Sequence, residues 1–413
     1  MSVLYITIFF IALKLGIEWV LSSLNAKNVI EKRDKIPEAY VEDMDYDTYQ
    51  KSNDYTLEKN KFGKVELLWD SIYAILTLIF LLPQLYYYFQ PIFGTSIWGQ
   101  AGLVLVLTTI LGLVGIPFEL YSQFVIEEKF GFNKSSFKLW ISDKLKGTAV
   151  GLVLGIPLLA LLLKFFEALP DTWWFWGFIA FFSFQLLMMV LYPILILPLF
   201  NKLSPLPEGE LKDRLMQLSE RTGFKTQTIQ VIDGSKRSGH SNAYFTGFGK
   251  FRRIVLYDTL IDQLTPEELE AVLAHEIGHY QMKHIPKMLA VTCVFMLSGF
   301  YLIHLLSGSP WFTQDFNLPS DQGIIPALLV FMIIAGYFTF WISPMMNFWS
   351  RKNEFEADHF AKEGLNDPMP LIFALRKLQT KNLGNLNPHP LYSAFHYSHP
   401  TIQEREAALL AEK

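Results

Sequence analysis

Only one cysteine, Cys293, occurs in the 413 residues, so the chain has no internal disulfide available to it. Lying in an apolar run, it reads as a small packing residue. Charge is scarce too, with Asp, Glu, Lys and Arg making up 18% of the chain, against about a quarter in an average soluble domain. At 51% hydrophobic residues and a mean hydropathy of +0.25, there is more apolar surface than one globular core could hide. An ordinary water-soluble protein is excluded on that count. A basic excess is also missing. A formal charge of -4 and an isoelectric point near 6.2 provide no positive field for gripping phosphates, and no nucleic acid partner is expected.

What the chain does have is seven apolar runs near the length of about 20 residues that crosses a bilayer core. They cover 2–22, 66–90, 98–125, 145–168, 172–200, 286–307 and 324–349. Pro83, Pro117, Pro157, Pro193 and Pro344 fall inside them, where neighbouring helices re-satisfy the freed backbone groups, so kinked spans are expected. The first run has no basic start and no small-residue cleavage site, and it carries Lys14 and Glu18. It reads as a retained span and not as a cleaved signal peptide.

Lys and Arg are absent from the connections 91–97, 169–171 and 308–323. They are abundant in 25–65, in 126–144, in the polar block 201–285 and after 350. With seven spans this alternation fits an amino terminus outside and every large polar segment in the cytoplasm. The expected organisation is then five spans over 1–200 with cytoplasmic loops 25–65 and 126–144, a cytoplasmic catalytic segment 201–285, two further spans over 286–349, and a cytoplasmic tail 350–413. Histidine is missing from the first 239 residues, and all nine histidines lie at or after His240. The first five spans therefore read as housing, and the chemistry belongs to the two later polar segments and the last two spans.

The sharpest local signal is His275-Glu276-Ile277-Gly278-His279. Thr265 is a natural N-cap, Pro266 suits the first helical position and Glu268 closes a capping box, so a helix is expected from Glu267 to about His284. Two histidines four residues apart share a helix face and can hold one metal ion, while Glu276 turns about 100° away toward a metal-activated water. That division of labour is the reason for the H-E-x-x-H pattern in zinc peptidases. Nine histidines and 23 glutamates in this length predict only about 0.01 chance occurrences.

A catalytic zinc ion needs a third protein ligand and an open position. Directly after the last span, Asn353-Glu354-Phe355-Glu356-Ala357-Asp358 reads as the start of a helix, with Glu354 and Asp358 on one face and Glu356 on the other. Glu354 is assigned as the third ligand. Asp358 then faces the same site, either to accept a hydrogen bond from a ligand histidine or to share in proton transfer. Acidic residues near a helix start also favour the macrodipole, which alone would account for any one of the three.

These two motifs, the loop Ile126-Glu127-Glu128-Lys129-Phe130-Gly131-Phe132-Asn133-Lys134 and Pro198-Leu199-Phe200-Asn201-Lys202, set among seven spans, resemble the integral-membrane CAAX prenyl proteases. The likeness runs from about residue 60 to the end. It implies an all-α multi-spanning membrane protein, seven transmembrane helices around a water-filled chamber, with a cytoplasmic α+β zinc metalloprotease domain. It also implies one Zn2+ per chain held by His275, His279 and Glu354, with Glu276 as catalytic carboxylate and Asp358 in support. Asn242 and His399 match positions that hold the substrate backbone and the developing oxyanion, and Arg405 belongs to the same carboxy-terminal pattern and is grouped with them. The expected substrate is a peptide, CAAX-type prenylated or otherwise membrane-associated, cut near its carboxy terminus. The other expected partner is the lipid bilayer, that of a bacterial inner membrane in preference to the endoplasmic reticulum.

Residues 228–232, 242–246 and 253–257 are rich in β-favouring types, and Gly247-Phe248-Gly249-Lys250 is a hairpin signal. A small sheet beside the zinc helix would offer an edge to an extended peptide. His284, His304, His359, His389 and His396 read as packing or surface residues. Of the charges within spans, Glu119 reads as facing the chamber, whereas snorkelling accounts for Asp70 and Lys164 near span ends. Two other functions compete: a quality-control membrane protease with the same chemistry, and a transporter with an incidental zinc site, which lacks the internal repeat many transporters show.

The charge asymmetry generates a topology test. In a Cys293→Ala background, single cysteines placed in 91–97, 169–171 or 308–323 should react with an impermeant maleimide applied to sealed membranes from the side away from the cytoplasm. Labelling of Ser235→Cys from that same side would reverse the assignment.

Overall fold

The structure is a computed structural model and describes residues 2–224, 228–246 and 253–411. Among the described residues seven helices are long and apolar enough to cross a membrane: α1 (Val3–Lys32), α2 (Tyr46–Phe93), α3 (Ile97–Phe130), α4 (Phe137–Ala168), α5 (Trp173–Leu199), α8 (His284–Ser307) and α9 (Ile325–Leu365). Between α5 and α8 lie β1 (Leu203–Pro205), α6 (Glu210–Arg221), β2 (Thr228–Ile232), β3 (Ala243–Thr246), β4 (Arg253–Tyr257) and α7 (Pro266–Gln281). After α9 come α10 (Met369–Lys381), α11 (Pro390–His396) and α12 (Ile402–Leu410). All seven expected spans are present, and several helices continue well past the apolar run. At 48 residues α2 is about 72 Å long at 1.5 Å per residue, well beyond a bilayer of about 45 Å, so its polar first half stands in water. The connection over 33–45, with a 3-10 turn at Glu38–Tyr40, separates α1 from it.

The intramembrane prolines act through irregular turns. A π turn at Thr77–Leu81 precedes Pro83, another at Tyr192–Ile196 contains Pro193, and 3-10 turns at Leu113–Gly115 and Phe340–Ile342 precede Pro117 and Pro344. Each widens or tightens the ladder where proline has removed a donor. Of the five prolines singled out, Pro157 is the one in uninterrupted α-helix.

In the most apolar stretches of α5 and α8 only 6% of residues are buried. Most of their surface is left uncovered by protein, which is expected where lipid covers it. An open cavity of about 650 Å³ lies against α1 and α2 and is lined by Lys14, Glu18, Lys59, Glu66, Asp70 and His240 among others. Glu119 is not among the lining residues and instead pairs with Lys144. Asp70, read from the sequence as an interfacial residue, does line it. The difference arises from rotation about the helix axis, which the position of a charge along a span does not specify. Lys14 sits over the rings of Tyr337 and Phe340, and Glu18 reaches His396 at 3.3 Å, so the first span is tied to the last and to the tail.

The part between α5 and α8, together with the helices after α9, has its own core. Ile229, Ile254 and Leu256 from the sheet, Leu215 and Leu218 from α6, Leu273 and Ile277 from α7, and Leu371 and Ile372 from α10 pack as one cluster. The sheet order is β1-β2-β4-β3, with β2 and β4 parallel and both outer strands antiparallel to their neighbours. β3 is therefore an edge, paired to β4 from Ala243 opposite Leu256 to Thr246 opposite Arg253. The hairpin expected at 247–250 lies outside the described residues.

α7 begins where expected: the Thr265 hydroxyl accepts from the Glu268 N–H, and the Glu268 carboxylate accepts from the Thr265 N–H. It ends earlier, at Gln281, because Lys283 adopts a left-handed conformation (φ 57°) and starts α8 at His284. The segment 353–358 also differs from expectation. It is no helix start but the continuation of the last span beyond its apolar run, since nothing between Pro344 and Leu365 breaks α9. The macrodipole account of its acids lapses, and the boundary expected at 349/350 falls within one helix.

α7 and α9 cross at Gly278. A Cβ there would stand 2.9 Å from the Ala357 Cα and 3.0 Å from its carbonyl oxygen, both backbone atoms with little freedom to move. Gly278→Ala should therefore push the two helices apart. Alanine's helix-propensity gain of about 1 kcal/mol is smaller than an overpacking cost of about 1–3 kcal/mol, so the melting temperature of the purified protein should fall and its metal content with it.

Candidate active site

The crossing of α7 and α9 brings together residues that are remote in sequence. Along α7, His275 and His279 lie one turn apart and present their Nε2 atoms to each other at 3.2 Å. From α9, Glu354 sends Oε1 to within 3.2 Å of His279 Nε2 and Oε2 to within 3.5 Å of His275 Nε2. Glu354 is 3% exposed, and its Oε2 has no hydrogen-bond partner. Two imidazole nitrogens facing each other beside a buried carboxylate with an orphaned oxygen suit a cation, and all three ligand atoms fall within 4.8 Å of one another. The donor set, two neutral nitrogens and one carboxylate oxygen, is that of a catalytic zinc site with an open position.

Behind His275 the buried Asp358 and Arg405 complete the arrangement. Arg405 donates from Nε to Asp358 Oδ2 at 2.8 Å and from Nη2 to Oδ1 at 2.6 Å, a two-pronged pair. His275 Nδ1 lies 2.8 Å from Asp358 Oδ1 and 3.2 Å from Arg405 Nη2. A guanidinium only donates, so the group that accepts the Nδ1 proton is Asp358. Burial and the Arg405 charge push the His275 imidazole down, but the hydrogen bond to Asp358 and the nearby Glu354 carboxylate outweigh both and lift it to about 9. The surplus of negative charge that holds a proton there also favours a bound cation.

Arg405, grouped with the substrate residues on the sequence, lies behind His275 and also lines the cleft with His399. It is 5% exposed and committed to Asp358, with Nη1 3.6 Å from Glu354 Oε2. Its sequence neighbourhood, a capped helix after His399-Pro400, gave no sign that this turn of α12 inserts behind α7. Burial pushes the Glu276 carboxyl up, against the pull of the His275 and His279 imidazoles. His399 is the exposed member of the group, with Nε2 3.4 Å from Glu354 Oε1. Asn242 immediately precedes the edge strand β3, and its Oδ1 accepts from the Ala243 N–H. No hydrogen bond or ion pair joins Asn242 to the His275–Glu354 cluster among the described residues.

One histidine counted as packing belongs to the cluster. His284, 5% exposed, places Nδ1 2.9 Å from His279 Nδ1 and Nε2 3.0 Å from Glu356 Oε2. The signal was present in the five-residue spacing from His279, but a straight helix would have put His284 on another face. Only the left-handed Lys283 brings it back.

The loop 126–134 packs against His240 and the segment that precedes β3. Phe132 stacks on His240 with ring centroids 4.0 Å apart, Glu127 Oε2 lies 3.3 Å from His240 Nε2, and Tyr55 donates to Glu127 at 2.7 Å. Backbone bonds from Gly239 to Phe132 and from Lys134 to Arg237 fasten the loop to the segment that leads into β3. Gly384, Asn385 and Tyr397 line both the large cavity and a cleft that includes His399 and Arg405, so the cleft and the cavity adjoin.

Comparison with known proteins gives a consistent result along the whole chain. Residues 25–202 match the family described as CAAX prenyl protease N-terminal, five membrane helices, and residues 205–413 match peptidase family M48. CAAX prenyl protease 1 of Saccharomyces cerevisiae is 37% identical over 91% of this chain and 88% of its own length. The homologue from Oryza sativa is 36% identical over 91% and 90%, and the human one 32% identical over 90% and 87%. The crystal structure of Ste24p from S. mikatae superposes with a TM-score of 0.90 at 35% identity, covering 98% of both chains.

The buried pair yields a stability prediction. Removing the guanidinium leaves Asp358 as an uncompensated buried charge, a loss of about 3–5 kcal/mol. Arg405→Met should lower the melting temperature well below that of Arg405→Lys, which keeps a charge though not the fork. Equal melting temperatures for both variants and the unaltered protein would show that the pair does not hold α12 in place.

Proposed function

The chain belongs to the CAAX prenyl protease family and is a membrane metalloprotease, and on that footing we propose that it is a zinc-dependent endopeptidase cutting peptides near their carboxy terminus, its substrates being CAAX-type prenylated or membrane-associated. The observation that carries this reading is the convergence of His275, His279 and Glu354 around an orphaned carboxylate oxygen, with Glu276 close enough to feel the charge of all three. In it the two imidazoles bind through Nε2 and Glu354 is the third ligand. When bound, the zinc ion supplies Lewis-acid polarisation of the scissile carbonyl and of the attacking water.

Glu276 takes the proton of that water as its oxygen attacks the carbonyl carbon, and returns it to the amine nitrogen as the C–N bond breaks. Burial raises its carboxyl, which brings its proton affinity closer to that of the groups it serves. Asp358 orients His275 by accepting its Nδ1 proton, a role its position favours over proton transfer to substrate, and Arg405 fixes Asp358. An extended peptide adds to the edge strand β3, where Asn242 can hold its backbone. His399, exposed at the mouth of the cleft, is placed to meet charge developing on the carbonyl oxygen. The catalytic end faces the cytoplasm, with the amino terminus on the opposite side. Relatives from yeast, rice and human lend nothing to the bacterial inner membrane expected from the sequence. A match to the five-helix membrane domain over residues 25–202 favours prenyl-peptide processing over degradative quality control.

Ligand and base should separate on mutation. Glu354→Ala should lose zinc, whereas Glu276→Gln should retain about one zinc per chain and lose activity. Elemental analysis and mass spectrometry of the products from farnesylated and unmodified peptides measure both. Full zinc retention in Glu354→Ala would sink the ligand set, and equal cleavage of the two peptides the prenyl preference.

A further inference from the structure

α9 carries three carboxylates at every second position, Glu354, Glu356 and Asp358, and the proposed mechanism uses only the first and the last. Residue 356 points away from the face shared by 354 and 358, and its Oε2 meets His284 Nε2 at 3.0 Å. His284 in turn meets His279 Nδ1 through its own Nδ1 at 2.9 Å. We propose that His284, backed by Glu356, is a positioning residue that fixes the tautomer and ring orientation of His279 for metal binding, the counterpart of Asp358 behind His275. This role rests on the proposed metal site of His275, His279 and Glu354 and extends it to two residues outside the ligand set.

Proton bookkeeping along the row allows one assignment. If His279 offers the Nε2 lone pair to the cation, its proton must sit on Nδ1. That proton needs an acceptor, and the atom facing it is His284 Nδ1, which accepts only when the His284 proton is on Nε2. Nε2–H then donates to Glu356. The donation runs in one direction, from His279 to His284 to Glu356, and every group has the partner it needs. A metal-bound histidine ordinarily gives its second N–H to a carboxylate or carbonyl. His275 does so directly through Asp358, and His279 does so at one remove because Glu356 lies on the wrong face of α9 to reach it.

The arrangement is built by the backbone. Lys283, at φ 57°, ends α7 and begins α8, so His284 is at once the first residue of a membrane-spanning helix and the neighbour of a candidate ligand. At 5% exposure it is shielded from water that could otherwise accept from His279. Glu356 is 34% exposed at its side chain, and Lys352 approaches it at 4.0 Å.

The test is zinc affinity, measured by chelator competition on the purified full-length protein in detergent. His284→Leu removes the acceptor and should weaken zinc binding by about 10- to 100-fold, the range for losing such a partner. His284→Asn places an amide oxygen where Nδ1 stood and should restore most of the affinity, a rescue that mere space filling would not give. Glu356→Leu, a change at a partly exposed position with little risk to folding, should weaken binding by a smaller factor. In the cobalt-substituted protein the visible bands of His284→Leu should shift, reporting altered ligand orientation, while those of His284→Asn stay near the unaltered protein's. Unchanged affinity in both His284→Leu and Glu356→Leu overturns the proposal, as does an Asn variant no better than Leu. Glu276→Gln serves as the control for the underlying reading: if the unaltered protein and this variant both fail to bind zinc, the metal site itself is wrong and the relay falls with it.

Discussion

Everything at the candidate site depends on how closely α7 can approach α9. Gly278 lets the backbone of the His275–His279 helix rest against Ala357, with no side chain between them. At that separation Glu354 reaches both imidazoles and Asp358 reaches the far side of His275, although the two helices are about 80 residues apart in the chain. A methyl group at the crossing would move all these atoms by a sizeable part of a hydrogen-bond length. Packing comes first here, and the electrostatics depend on it.

Negative charge is concentrated by that contact and then only partly neutralised. Glu354 and Asp358 lie nearly buried within reach of one imidazole, with Arg405 as the one guanidinium beside them among the described residues. Arg405 satisfies Asp358 with two donors and leaves Glu354 Oε2 without a hydrogen bond. A carboxylate kept out of water and short of a partner is costly unless a cation completes its surroundings. In this sense the protein is organised around a charge deficit, and the proposed metal site is where that deficit is met.

The membrane helices contribute length as well as apolar surface. α9 leaves the membrane and continues without a break to Leu365, so it carries Glu354, Glu356 and Asp358 on a rod anchored in the membrane. α2 likewise extends into water, and its Tyr55 supports Glu127 and through it His240. α8 starts at His284, against His279. A site assembled from the ends of membrane spans is aimed with little freedom, and the large cavity adjoins the cleft that holds His399 and Arg405.

The sequence alone was enough for what depends on local spacing. Apolar runs gave the seven spans because a bilayer sets the length of helix that crosses it. The capping box gave the start of α7, and an i, i+4 pair of histidines on one helix must share a face. Relations between elements were not legible. That Arg405 inserts behind His275, that Asp70 and not Glu119 lines the cavity, and that His284 returns to His279 each turn on helix rotation or on one left-handed residue. The continuity of α9 was missed because a change from apolar to charged composition looks like a boundary, although no backbone signal there breaks the helix. Side-chain type and spacing determine which residues can share a face. Which face meets which neighbour is decided by close packing between helices distant in sequence, and only the tertiary structure contains it.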